Sequence, residues 1–155
     1  MAMEFERNGK KFLIGHGDGL GPGDHGYKRL KKIFRNPACK WIFGILPPIM
    51  GMGLANYLSR RSRIKTGSSE EVFLGEEKEW LISYCKEVLQ QKNIDFFVFG
   101  HRHLPIDYRL SPISGYGSRY INLGDWIRYY TYAIFNGSDM ILKSFKGNEN
   151  KIIRN

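Results

Sequence analysis

The chain is 155 residues long, 42% hydrophobic and 25% charged, with a net charge of +9 at neutral pH. That length supports one domain with a real core but not two, and the balance is that of a globular protein rather than a disordered or fibrous one. No apolar run reaches the roughly 18 residues of a membrane span, residues 1–15 do not read as a secretory leader, and the two cysteines make neither a metal spacing nor a disulfide framework.

Residues 11–15 (Lys-Phe-Leu-Ile-Gly) read as a short strand after a turn that begins at Arg7-Asn8-Gly9. Residues 17–26 form a glycine-rich loop. Tyr27 to Phe34 has helical spacing, ended or interrupted by Pro37. The apolar stretch that follows carries prolines and glycines and predicts two short helices broken at Pro47-Pro48. After a loop at 65–71, residues 75–92 are the clearest helix, with Leu81, Tyr84, Cys85, Val88 and Leu89 recurring on one face. Asn93 stands where that helix should stop. Ile94–Phe99 is a continuous apolar run, the pattern of a strand buried on both faces of a sheet. Strand-like pieces follow at 119–124, 129–135 and 139–145, the last two joined by the hairpin signal Asn136-Gly137-Ser138. The polar tail from Gly147 is expected to fray.

Two strand ends carry the chemistry. Ile94–Phe99 runs into Gly100-His101-Arg102-His103, and the strand at 11–15 runs into His16-Gly17-Asp18. Imidazole is a common metal ligand, and glycine beside it lets the backbone turn tightly. Histidines two apart can point to different metals, and a third, His16, on a second strand end predicts that all three converge at one sheet edge. Sites in open α/β sheets gather at such carboxyl edges.

The motif Gly-His-Arg-His at 100–103 resembles the closing Gly-His-x-His motif of the calcineurin-like metallophosphoesterases, and Gly-His-Gly at 15–17 resembles their preceding single-histidine motif. Over residues 12–37, 53–63 and 97–126 the chain resembles, in order, the UDP-2,3-diacylglucosamine hydrolase family of lipid A biosynthesis. The resemblance implies an α/β fold, part of a two-sheet sandwich flanked by helices, with a helical lid insert at about 26–62. It implies two divalent metal ions, typically manganese, with His16 and His101 on one and His103 on the other. The family's Asp-x-His, Gly-Asp-x-x-Asp and Gly-Asn-His motifs do not occur here. The resemblance therefore implies a C-terminal portion of a metallophosphoesterase domain, catalytic groups lying elsewhere, and an isolated chain that is inactive.

The charge is local. Residues 24–65 hold ten cations and one acid, so this stretch carries the whole net charge. The cations flank the apolar segment from Trp41 to Leu58, as expected of a lid with a greasy inside and a cationic rim. A nucleotide-diphosphate lipid needs both surfaces, and the same surface suits peripheral contact with an anionic inner-membrane leaflet on its cytoplasmic side. The resemblance implies substrate contacts at Asp24, Ser59 and Arg63, to which the helix neighbours Tyr27 and Arg29 are added. Two alternatives stand beside this. One is a phosphoesterase of the same superfamily with another substrate. The other is a nucleic-acid module in which Tyr27, Phe34 and Trp41 stack on bases; the continuity of the apolar stretch counts against it.

Overall fold

A computed structural model describes residues 2–20, 25–66, 72–113 and 116–155, with the side chains at 25–28, 30, 61–66, 113 and 116 outside the description. Asn8 and Gly9, at φ 51° and 70°, turn the chain through the two left-handed positions of a tight hairpin. The turn joins β1 (Ala2–Arg7) to β2 (Lys10–Gly15), which pair antiparallel from Arg7–Lys10 to Ala2–Gly15. Sequence reading had recognised only β2. Residues 2–7 alternate apolar and charged side chains, and their strand state depends on β2 lying alongside; β1 is an edge strand, with Met3 and Phe5 exposed.

Six strands form the main sheet in the order β1-β2-β3-β5-β4-β8, with β3 at Phe96–Phe99, β4 at Pro105–Ile113, β5 at Tyr116–Leu123 and β8 at Ile153–Arg154. At its centre β2, β3 and β5 run parallel, so their carboxyl ends lie side by side. A second sheet is the antiparallel hairpin β6 (Thr131–Phe135) and β7 (Met140–Ser144). The Asn136 Oδ1 accepts the backbone N–H groups of Ser138 and Asp139 and closes its loop.

All four residues of β3 are buried because both faces are covered. Phe97 and Phe99 join Leu13 and Tyr120 under the helix α4 (Trp80–Leu89), against Leu81, Ile82, Cys85 and Leu89. Phe96 and Val98 face the other way with Phe12 and Ile121, against Met140 and Leu142 of β7. The period-two alternation of side chains splits one apolar run between two cores.

Two elements differ from expectation. The helix of 75–92 is a 3-10 turn at Glu76–Lys78, then α4, with Glu79 between them as the extended cap residue and Gln90 ending the helix. The tail does not fray: Ile152 is buried and β8 adds in parallel to β4, whose strand state no sequence signal had shown. Residues 25–66 are helical as expected, as α1 (His25–Arg35), α2 (Pro37–Ile45) and α3 (Pro48–Thr66), broken at Asn36 and at Leu46-Pro47. Each break is followed by a proline, Pro37 or Pro48, that opens the next helix, since the first helical position needs no N–H. Asn36 caps α2 by accepting from the Ala38 and Cys39 N–H groups at 2.9 and 3.4 Å. The helix after the second break, α3, is long rather than short, at 19 residues. No residue of α2 is buried, and Trp41, Ile42, Phe43, Ile45, Ile49, Met50 and Met52 are exposed.

Candidate functional site

The site is built by strand register. Gly15 of β2 pairs with Phe99 of β3, so the residues that follow, His16 and Gly100, meet at the same edge; the Gly100 N–H donates to the His16 carbonyl at 3.0 Å. Asn122 near the end of β5 pairs with Phe99 from the other side and is followed by Gly124-Asp125. Three neighbouring strands thus end in the same way: a glycine, then a polar side chain.

His101 Nδ1 and His16 Nε2 stand 3.3 Å apart, with the two rings nearly perpendicular at 84°. Trp80, the first residue of α4, sets its ring edge-on to His101 at 5.4 Å. His103 lies further out, with Nδ1 3.9 Å from Asp125 Oδ2. All three imidazoles line one cavity of about 900 Å³, which continues between the two sheets over Ile14, Val98, Thr131 and Ala133. Among the described residues no three His, Cys, Asp or Glu side chains are grouped to hold one metal ion.

The turn carrying the histidines is constrained. His101 and His103 both have left-handed backbones, at φ 62° and 54°, a conformation that costs a non-glycine residue about 1–3 kcal/mol unless its surroundings impose it. Arg102 between them points inward and is buried, its Nε on Glu79 Oε2 at 3.0 Å and its Nη2 on the Val72 carbonyl at 3.2 Å. Asn122, fully buried, donates from Nδ2 to the Gly100 carbonyl and to Tyr120 Oη and accepts the Gly124 N–H.

Asp125, Asn122 and Glu79 were missed by sequence reading. The signal for Asp125 was present, since Leu123-Gly124-Asp125 repeats the strand-glycine-polar pattern of the two histidine ends. Asp125 Oδ1 accepts the N–H groups of Ile127 and Arg128 at 2.8 and 2.6 Å. Burial pushes its carboxyl upward, but the backbone N–H groups of Arg128, Ile127 and Tyr129 and the nearby His103 outweigh this and hold it below the usual aspartate value. Nothing in the sequence marks Glu79 as the partner of Arg102, because they are joined only when α4 docks on β3.

Of the residues expected to contact substrate, Arg29 is exposed on α1 and Ser59 half-exposed on α3. Asp24 lies outside the described residues, as do the side chains of Tyr27 and Arg63. Asp18, after His16, forms an ion pair at 3.2 Å with Lys31 of α1, so the basic segment is tied back to the histidine edge.

Fold and edge together define a class: a mixed α/β domain whose parallel strands present imidazoles at adjoining carboxyl ends. Over most of its length the chain is similar to UDP-2,3-diacylglucosamine hydrolases. The one from Porphyromonas gingivalis strain W83 is 32% identical across 93% of this chain and 58% of its own length. Those from Pseudomonas putida F1 and Pseudomonas aeruginosa PAO1 are 33% and 32% identical over 79% and 77% of this chain, and 49% and 48% of theirs. The chain spans about half the length of the curated relatives it matches. No protein-family model matches it.

Proposed function

We propose that the chain supplies the histidine part of a two-metal phosphohydrolase site that splits UDP-2,3-diacylglucosamine with water into UMP and 2,3-diacylglucosamine 1-phosphate. The observation that carries this is the 3.3 Å separation of His16 Nε2 and His101 Nδ1. Two imidazole nitrogens bound to one divalent ion at about 2.1 Å stand about 3.0–3.4 Å apart. The donors present therefore fit a metal in the manganese or zinc range. Two donors alone hold an ion poorly, so His16 and His101 are part of a ligand set, and His103 serves the second ion. Bound there, a pair of divalent ions supplies Lewis acidity and a more acidic water for attack on a phosphorus.

The chain's own residues do the rest. Strand register brings the imidazoles together, and the left-handed turn aims His101 and His103 outward into the cavity. Asp125 holds the end of β5 and faces His103. The basic segment forms the lid, in which Asp24, Tyr27, Arg29, Ser59 and Arg63 contact substrate, cations meeting the diphosphate and the apolar side chains of α2 and α3 meeting acyl chains. Exposed Arg29, Lys32, Arg35, Lys40 and Arg60 are interleaved with exposed aliphatic residues. That mixture favours a lipid and the surface of an anionic membrane over nucleic acid, whose grooves take cations and aromatics. No described helix is long and apolar enough to cross a membrane.

The test supplements the chain with the portion of the P. gingivalis relative that it does not span and measures UMP release. Manganese-dependent release that His103→Ala abolishes is the expected result. Equal catalytic efficiency on UDP-2,3-diacylglucosamine and a simple soluble phosphodiester would remove the lipid assignment and leave the phosphoesterase one.

A further inference from the structure

Between the two histidines of the Gly-His-Arg-His turn lies a side chain that no part of the hydrolytic reading uses. Arg102 is 7% exposed, while the side chain of His103 beside it is 65% exposed. Alternation along the turn sends the imidazoles out and the guanidinium in. There it meets Glu79, 2% exposed, at the entry to α4, and its second branch reaches the Val72 carbonyl. From the opposite side Asn122 holds the Gly100 carbonyl, and the Arg102 N–H closes on that same carbonyl at 2.7 Å.

We infer that the buried Glu79–Arg102 pair is a positioning device, a strut from the first turn of α4 that imposes the left-handed backbone at His101 and His103 and so sets where the imidazoles stand. The inference rests on the reading of these histidines as metal donors.

Three observations converge on it. A left-handed backbone at two non-glycine residues needs an outside constraint, and Arg102 is the one residue between them, anchored at two points. The anchor belongs to the same helix turn as Trp80, whose ring meets His101, and as Leu81, which packs beside Gly17 in the other histidine loop. One helix end therefore supports both histidine turns. Finally, the pair is poorly arranged as a source of stability alone. Glu79 Oε1 has no hydrogen-bond partner among the described residues, and buried pairs of this kind are often replaced by apolar side chains without loss of stability.

That last property supplies the experiment. In the 155-residue chain the double variant Glu79→Leu with Arg102→Met keeps the volume and removes the strut without leaving a lone buried charge. Its urea midpoint should stay near that of the parent. In the metal-free protein the His101 ring protons should lose the shift imposed by the Trp80 ring, and the contact between the His16 and His101 rings should vanish from nuclear Overhauser spectra. Affinity for Co²⁺, used as probe, should fall by about tenfold or more, the usual effect of losing a residue that orients a ligand. A folded double variant with the parent's His101 ring shift and Co²⁺ affinity overturns the inference. Should the double variant not fold, Arg102→Lys decides, because one ammonium cannot reproduce the fork to Glu79 and Val72: a displaced His101 ring shift supports the strut and an unchanged one overturns it. A parent that takes up no Co²⁺ while the variant loses its ring shift removes the metal reading and leaves the strut standing.

Discussion

At Gly124 a single missing methyl group decides whether β5 can end where it does. The residue has φ 72°, and a Cβ there would lie 2.6 Å from Thr131 Oγ1 and 3.2 Å from the Pro105 nitrogen. Gly124→Ala should cost about 2–3 kcal/mol by combining backbone strain with a clash against the Thr131 hydroxyl and crowding of Pro105, read as a lower urea midpoint. Asn122→Ala should cost about as much, because it removes a fully buried amide that ties the Gly100 carbonyl, the Tyr120 hydroxyl and the Gly124 N–H together. Glu76 offers a pH test away from the histidines. The ammonium of Lys86, 2.9 Å away, opposed by burial and joined by the Tyr108 hydroxyl, holds its carboxyl below the usual 4.5. A depressed carboxyl adds stability that is fully present above its unfolded value and lost as pH falls through the folded one. Glu76→Gln should therefore lower stability at pH 7, and that effect should fade as pH falls below the usual 4.5 and through the lowered folded value, as a series of urea titrations across this range would show.

Among the elements, β8 is the smallest and has a definite role. Its two residues pair with Ile106 and Asp107, Ile152 before it is buried, and the Asn155 side chain bonds both the N–H and the carbonyl of Arg109. Deleting residues 152–155 should cost about 2–4 kcal/mol, from one buried aliphatic side chain and several hydrogen bonds. Thermal unfolding measures it; an unchanged midpoint would mean that the docked tail contributes nothing. The helix α4 acts at the same scale but with two duties. Its apolar face covers β3, and its first turn carries Glu79 and Trp80 to the histidine turn. Leu81→Ala should accordingly lower stability by about 3 kcal/mol and also loosen the His16–His101 contact, since Leu81 packs beside Gly17.

For the molecule as a whole the governing feature is the separation of charge from the core. The residues 24–65 that hold the net +9 include α2, in which no side chain is buried. On the lipid reading, the chain should bind anionic vesicles and ignore zwitterionic ones. Each removed cation near the surface is worth about 1 kcal/mol, so Lys40→Ala with Arg60→Ala should weaken vesicle binding roughly 30-fold, and salt should weaken it in the parent. Trp41→Ala should weaken binding at every salt concentration, because its contribution is apolar. Cosedimentation measures both, and equal binding to the two vesicle types would exclude the electrostatic part of the reading.

What was legible in the sequence was local. Alternation and continuity of apolar residues marked β2, β3 and the strands between residues 119 and 145, because burial on one face or two follows directly from side-chain period. His16 and His101 were legible for the same reason, since each follows a strand and a glycine, and His103 through its place two residues after His101. Of the strands that were missed, β1 and β4 pair with the next strand in the chain, and β1 carried a local signal in its alternating residues and the Asn8-Gly9 turn, whereas β8 is two residues long and is a strand only beside the distant β4. The helix breaks at Pro37 and Pro47-Pro48 were legible as well, since a proline interrupts the helix that precedes it: α1 ends at Arg35 and α2 at Ile45. Tertiary structure alone decided the rest. Parallel pairing of β2, β3 and β5 converted three separate strand ends into one edge with His16 and His101 in contact and Asp125 facing His103. The docking of α4 joined Glu79 to Arg102 across 23 residues of chain, a relation that exists only once the core beneath them has formed.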